Sequence, residues 1–350
     1  MKHLSTNQNN FDLIRFILAF IVFLYHVSVL TQHPGLSVIG KYLSAEIAVD
    51  SFFIVSGFLI FMSFENTLSI QKYFLKRLRR ILPGYLAVIL ICSLGLFFIS
   101  TYTFEDYFSF DWIKYTIVNA FTLNFIQHNL PGVFEGNYLS AVNGALWTIK
   151  VEVMFYLVVP VIVILFSKIN KLAVMVIIYI SAIAYSIGMI YLEGRTGNDL
   201  YLILERQIPG QLAFFISGAF LYYYLDEFRR HSKLILISGV ILFIFSKMTG
   251  FYFLYPATLA ILVIYSAMVL RYLGNWGKFG DFSFGIYIWH FPVIQVFVHF
   301  RLFESHLYFV FPSLILTVFI ISYLSWHLIE KPFLSHHSHY REVEVSEAGH

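Results

Sequence analysis

Charge is what this sequence lacks most. Lysine, arginine, aspartate and glutamate make up 12% of its 350 residues, about half the share of an ordinary soluble domain. So little charge cannot keep a chain of this length in water. With 59% hydrophobic residues and a mean hydropathy of +0.75, the chain belongs in a bilayer, with membrane lipid as its main surroundings. Cysteine is nearly absent: Cys92 alone excludes an intramolecular disulfide and a thiolate metal cluster. A net charge of +3 is too small to argue for nucleic acid as a partner. No HExxH, Cys-x-x-Cys or glycine-rich phosphate loop occurs, so no metal site is expected. An internal repeat of the kind many transporters carry is also missing.

What is present is a succession of apolar spans. Stretches of about 20 mostly apolar residues predict transmembrane helices at 11–31, 47–65, 81–101, 144–167, 172–192, 204–225, 233–248, 251–270, 282–300 and 307–329. The predicted fold class is therefore an all-α integral membrane protein, a bundle of about ten transmembrane helices. The first span is read as a permanent helix. Its apolar run after Arg15 is longer than a signal-peptide core, and no small-x-small cleavage site follows. Residues 112–127 are shorter and more polar and are placed at the outer surface.

Lysine and arginine set the orientation. The loop expected after the second helix, "QKYFLKRLRR", holds Lys72, Lys76, Arg77, Arg79 and Arg80. With ten helices, the other cationic connections (Lys168 with Lys171, Arg229 with Arg230 and Lys233, Arg271 with Lys278) fall on the same side. Glu105, Asp106, Asp111, Glu193 and Asp199 fall opposite. Both termini are thus expected to be cytoplasmic. Residues 1–334 form the transmembrane domain and 335–350 a short polar cytoplasmic tail, whose His336, His337 and His339 are read as solvated rather than as metal ligands.

A few polar groups interrupt the apolar spans. Arg15 and His26 are eleven residues apart on the first helix, about 20° past three full turns and about 16 Å along the axis, so they share a face. Asp12 lies on the same stripe, three residues before Arg15, and can pair with it. Such a face suits a bundle interior or wet cavity. Snorkelling of Arg15 to the headgroups, with His26 as a plain helix contact, is the other reading. Glu152 lies inside the fourth helix, where a carboxylate costs roughly 2.5–3.5 kcal/mol on insertion scales. It needs a partner or a task. Lys150, two residues away, faces elsewhere and can reach the outer interface. His26 is a candidate partner for Glu152, since a carboxylate beside an imidazole fixes its tautomer and favours its charged form, as a general base requires.

Other polar positions are open to two readings. Asp50 lies near the outer end of the second helix. Ser51 beside it lacks a nucleophile elbow, and Ser56-Gly57 reads as a close approach of two helices. His290 is either a second catalytic or relay histidine or a structural hydrogen-bonding group. Glu330 in "LIEKPF" reads as a locally paired end of the last helix.

These residues come in an ordered set of stretches that resembles the membrane acyltransferase-3 family, bacterial enzymes that O-acylate cell-surface carbohydrates and related acceptors. The family's Arg-x10-His signature is similar to Arg15 and His26. Its "VDxFFxxSGFL" stretch is similar to the run from Val49 to Leu59, its basic "RRxxRIxPxY"-like turn to "KRLRRILPGY", and its "LWSLxxExxFYL"-like segment to "LWTIKVEVMFYL". "SFGIYIWHFPV" and "EKP" also fit, so the resemblance runs from Phe11 to Pro332. Two departures stand out: Lys150 where the family tends to a small or polar residue, and Val153 where an acidic one is frequent. The chain resembles the stand-alone branch, without an appended hydrolase-like domain.

The resemblance implies an O-acyltransferase, usually an O-acetyltransferase, in the bacterial inner (cytoplasmic) membrane. The donor substrate would be cytoplasmic acetyl-CoA or another acyl-CoA, with no permanently bound cofactor. The acceptor would be a hydroxyl of a carbohydrate or lipid-linked glycan. His26 and Glu152 would be catalytic. Arg15, Arg77 and Arg80 would bind the phosphates of CoA, although the positive-inside rule alone also accounts for Arg77 and Arg80. Asp12, Asp50 and His290 would support the site. His26 would either deprotonate the acceptor hydroxyl or carry the acyl group itself. A proton- or solute-coupled transporter is the rival class, because buried Arg, His and Glu also suit a proton relay. A polyprenyl-linked sugar transferase has no evident nucleotide-sugar site.

Overall fold

In a bilayer each backbone N–H and C=O must be satisfied within the protein, and a helix does this within one segment. The computed structural model describes residues 9–67, 69–304 and 306–335, and among these every regular element is helical. The main helices are α1 (Phe11–Thr31), α2 (Ala45–Glu65), α3 (Ile70–Gly95), α4 (Phe110–Ala120), α5 (Trp147–Lys168), α6 (Lys171–Thr196), α7 (Ile208–Tyr223), α8 (Ser232–Thr249), α9 (Tyr255–Met268), α10 (Phe282–His299) and α11 (Leu307–Leu324). Residues 336–350, with His336, His337 and His339 of the expected tail, lie outside the described residues.

Eight helical stretches among the described residues are long and apolar enough to cross a membrane. They correspond to eight of the expected spans. The other two, 204–225 and 251–270, fold as α7 and α9, only 16 and 14 residues long. Each starts on a proline in its first turn, where the missing N–H costs nothing. Both can be short because protein covers them: α7 buries a continuous run from Ala213 to Ala219, and α9 buries Tyr255, Leu259, Ala260 and Ile264 among others. Irregular backbone at membrane depth is tolerated where protein rather than lipid surrounds it.

One expectation is corrected. The basic stretch "QKYFLKRLRR" is not a loop but the opening of α3, which starts at Ile70. Leucine, lysine, arginine and glutamine are good helix formers, and neither glycine nor proline occurs before Pro83 to stop them. Residues 112–127 divide between α4 and the turns after it.

The helices group into two compact units. The first comprises Met1–Arg15, Val49–Phe74 and Val151–Gly274. In it α2 and α7 approach closely: a Cβ on Gly57 would overlap the Phe215 carbonyl, and one on Gly218 the Ile54 carbonyl. The close approach expected at Ser56-Gly57 is thus formed, backbone against backbone. Phe155 stacks on Phe215 beside it, ring centroids 4.0 Å apart. Asn10 ties the start of α1 to the last turn of α9 and the segment after it. Its backbone N–H donates to Ala267 O (2.9 Å), its Nδ2 to Ser266 O and Arg271 O (both 3.2 Å), and its Oδ1 accepts from Leu273 N (2.9 Å).

The second unit comprises Phe16–Ala48, Leu75–Lys150 and Asn275–His350. Its centre is α10, buried without a break from Ser283 to Gln295. Pro292 lies inside that helix and has no N–H to offer the Ile288 carbonyl one turn back. Asn143 Nδ2 donates to that carbonyl instead, at 2.8 Å, while Asn143 Oδ1 caps the following turn by accepting from Ala145 N. Further along α10, Gln295 donates to Leu139 O and Ala141 O (2.6 and 2.7 Å) and its Oε1 accepts from Asn137 Nδ2 (2.9 Å). The connection from α4 to α5 is therefore fastened to α10 along its length.

Candidate active site

His26 lies on α1, half-buried, in the second unit. Its Nδ1 is 3.0 Å from Nε2 of His290 on α10. His290 is fully buried, and its Nδ1 is 3.0 Å from the Ile286 carbonyl of its own helix. Around this pair pack Phe23, Phe291 and Tyr287, with ring centroids 5.3–6.0 Å from one or other imidazole. Gly144 admits Phe291: a Cβ there would come within 2.8 Å of its ring. The Tyr287 and Thr148 hydroxyls lie 2.8 Å apart, joining α10 to the first turn of α5. A half-buried imidazole held by a second imidazole in an apolar surround can take up and return a proton.

The basic end of α3 is ordered by a different contact. Arg80 pairs with Asp281, the residue that caps α10. Asp281 also accepts from the Ser283 N–H and hydroxyl. The guanidinium lies 5.9 Å from the Phe284 ring and 5.5 Å from the Trp326 ring, within cation–π range. Gly280 precedes Asp281 with φ +112°, and a Cβ there would strike the Trp326 indole, so both backbone and space demand glycine. Arg77, one turn earlier on α3, is half-buried, whereas Lys72, Lys76 and Arg79 are exposed. Glu330 is buried and accepts from Ser325 Oγ at 2.8 Å, the local pairing expected of it. Lys150 sets its ammonium 4.5 Å from the Phe125 ring centroid.

The first unit holds the other expected site residues. Asp12 and Arg15 are half-buried in the opening turns of α1, which runs unbroken to Thr31, so the stripe shared by Arg15 and His26 is continuous. Burial, and then the Asp12 charge, push the Tyr272 phenol above its usual pKa. Glu152 is half-buried on α5, and its Oε1 accepts from the Tyr156 hydroxyl at 2.6 Å, one turn on. The Tyr156 carbonyl accepts from Tyr73 at 3.2 Å. Asp50 is buried and accepts from the Tyr255 hydroxyl at 2.8 Å. Lys247 Nζ lies 3.8 Å from the centroid of that tyrosine ring. Among the described residues, no three His, Cys, Asp or Glu side chains are placed to hold a metal ion.

A family model described as an acyltransferase domain matches residues 8–327. The chain belongs to that acyltransferase-3 family. An O-acetyl transferase of Shigella phage Sf6 is 28% identical over 345 residues, 95% of this chain and 97% of the phage protein. Nodulation protein 10 of Rhizobium leguminosarum bv. viciae is 29% identical over 185 residues, half of each chain. No solved structure matches. The protein is therefore an acyltransferase built into a multi-pass membrane bundle.

Several groups that fasten the helices have no counterpart in the sequence reading. Asp281 follows Gly280 as an N-cap, a local signal that points to a helix start and not to Arg80. Asn10, Asn143 and Gln295 are neutral amides whose partners are carbonyls far along the chain. Only the Asn143–Ile288 bond had a legible half, because Pro292 announces a carbonyl without its helical donor.

Proposed function

We propose that this acyltransferase moves an acetyl group from cytoplasmic acetyl-CoA to a hydroxyl of a cell-surface carbohydrate or lipid-linked glycan, in a bacterial inner membrane. The observation that carries the reading is the half-buried His26 imidazole, anchored in an apolar surround, in a chain that matches an O-acetyl transferase along nearly its whole length. His26 accepts the acceptor's hydroxyl proton as its oxygen attacks the thioester carbonyl. The new C–O bond forms, the C–S bond breaks, and the imidazolium returns the proton to the departing CoA sulfur. Glu152, one oxygen of which is steadied by Tyr156, is the carboxylate the reading takes as catalytic.

Arg15 and Arg77 take the donor phosphates through their guanidinium forks. Arg80, already paired with Asp281, fixes the turn of α3 that presents Arg77. Asp12 and Asp50 shape the ends of their helices.

The test is mass spectrometry of surface glycans from cells carrying the wild-type gene, its Glu152→Gln variant or no gene. One acetyl-sized mass increment is expected with the wild type alone, with the variant still inserted in the membrane. Unchanged glycans, with acetyl-CoA left unconsumed while a proton gradient drives solute movement, would instead make the protein a transporter.

A further inference from the structure

From the two hydrogen bonds of His290 we infer that this residue is the positioning residue of the site, holding His26 in the one tautomer able to act as a base on the acceptor. The inference rests on the proposed acyl transfer for its kinetic consequence, but its geometry stands apart from it.

The Ile286 carbonyl, 3.0 Å from His290 Nδ1, can only accept a hydrogen bond. His290 Nδ1 therefore carries the proton. In a neutral imidazole the other nitrogen is then an acceptor, so His290 Nε2 presents a lone pair to His26. Across the 3.0 Å contact, His26 Nδ1 must donate. His26 Nε2 is left with the lone pair, and His26 is the member of the pair that is not fully enclosed.

Two consequences follow. When His26 Nε2 gains a proton, its Nδ1–H becomes a charged donor, and such bonds are about twice as strong as neutral ones. The contact therefore tightens as the proton is taken up and helps carry the imidazolium. Nor can His290 pass the proton onward. A proton accepted at its Nε2 would have to leave from Nδ1, and that N–H ends on a backbone carbonyl. Of the two roles open to His290 in the sequence, relay or hydrogen-bonded support, the geometry selects support of a specific kind. It orients His26 as the buried carboxylate does in other base-catalysed acyl transfer.

The experiment uses the full chain in lipid nanodiscs, with two readouts. Ring-¹⁵N-labelled histidine, with His26 assigned by loss of its signals in His26→Gln, reports the tautomer directly. Protonated Nδ1 and unprotonated Nε2 are expected, and protonated Nε2 overturns the inference whatever the protein's activity. The second readout is CoA thiol release from acetyl-CoA with isolated surface glycan as acceptor. His290→Leu should lower kcat by roughly 10- to 100-fold, the size of loss seen when a group that orients a metal-bound histidine is removed. KM for acetyl-CoA should stay within about twofold. His290→Gln, whose amide can accept from His26 and donate to Ile286, should recover most of the loss. A leucine variant with normal kcat overturns the inference, as does a folded glutamine variant as slow as His26→Ala. If the wild type releases no thiol, the acyl-transfer reading fails, while the ¹⁵N result still decides the hydrogen bond.

Discussion

Removing either member of the Arg80–Asp281 pair should destabilise the second unit, and removing both should cost little more than removing one. The side chains are 15% and 3% exposed, so neither charge can be rehydrated cheaply once alone. Breaking a buried pair from one side costs about 3–5 kcal/mol. Arg80→Ala belongs at the low end, about 3 kcal/mol, because Asp281 keeps the Ser283 N–H and hydroxyl as donors. That value includes the guanidinium's hold on two rings, roughly 0.5–1 kcal/mol each. Asp281→Ala should cost about 4 kcal/mol, since it strands a cation and also removes a cap worth about 1 kcal/mol. The double variant should lose about 4 kcal/mol rather than 7, a coupling of about 3 kcal/mol at the upper end for residues in one network. Thermal unfolding of the four proteins in identical nanodiscs at one scan rate reads the pattern. The double variant's midpoint should match that of the weaker single variant. A midpoint depressed by the sum of the two single effects would refute the pairing.

Gly57→Ala should cost about 3 kcal/mol or more, because its methyl would meet the Phe215 backbone and backbone cannot swing aside as a side chain can. Gly95→Ala, with nothing within 4 Å of the added methyl, should be neutral in the same thermal assay, and equal effects would defeat the close-approach argument. Arg15→Lys should raise KM for acetyl-CoA roughly tenfold through loss of the bidentate fork. An unchanged KM in folded protein removes Arg15 from the donor site. A thiol reagent should reach Ser69→Cys only in permeabilised cells and Asn198→Cys in intact ones, with the buried Cys92 giving little background. The reverse pattern would invert the proposed orientation and the side on which donor binds.

The scarcity of charge and the recurrence of apolar spans determined, without any structure, that this is a multi-helix membrane protein. Both follow from what a bilayer accepts, residue by residue. The 20° offset between Arg15 and His26 was equally fixed, since an unbroken helix carries both. Short-range signals also sufficed for the close contact at Gly57 and the pairing of Glu330 with its own helix end.

Partners were another matter. His26 meets His290 across 264 residues and Arg80 meets Asp281 across 201, and neither helix advertises which neighbour it will face. In water, an apolar stripe marks the buried side of a helix. In lipid every side is apolar, so hydropathy no longer says which face turns inward. That choice falls to a few small residues and hydrogen-bonding groups acting over long separations. Gly57 and Gly218 let backbones touch, Gly144 and Gly280 make room for Phe291 and Trp326, and Asn143 answers the carbonyl that Pro292 leaves open. The start of α3 at Ile70 is of the same kind. A run of lysines and arginines reads as a loop by charge and as a helix by propensity, and only the fold chose between them.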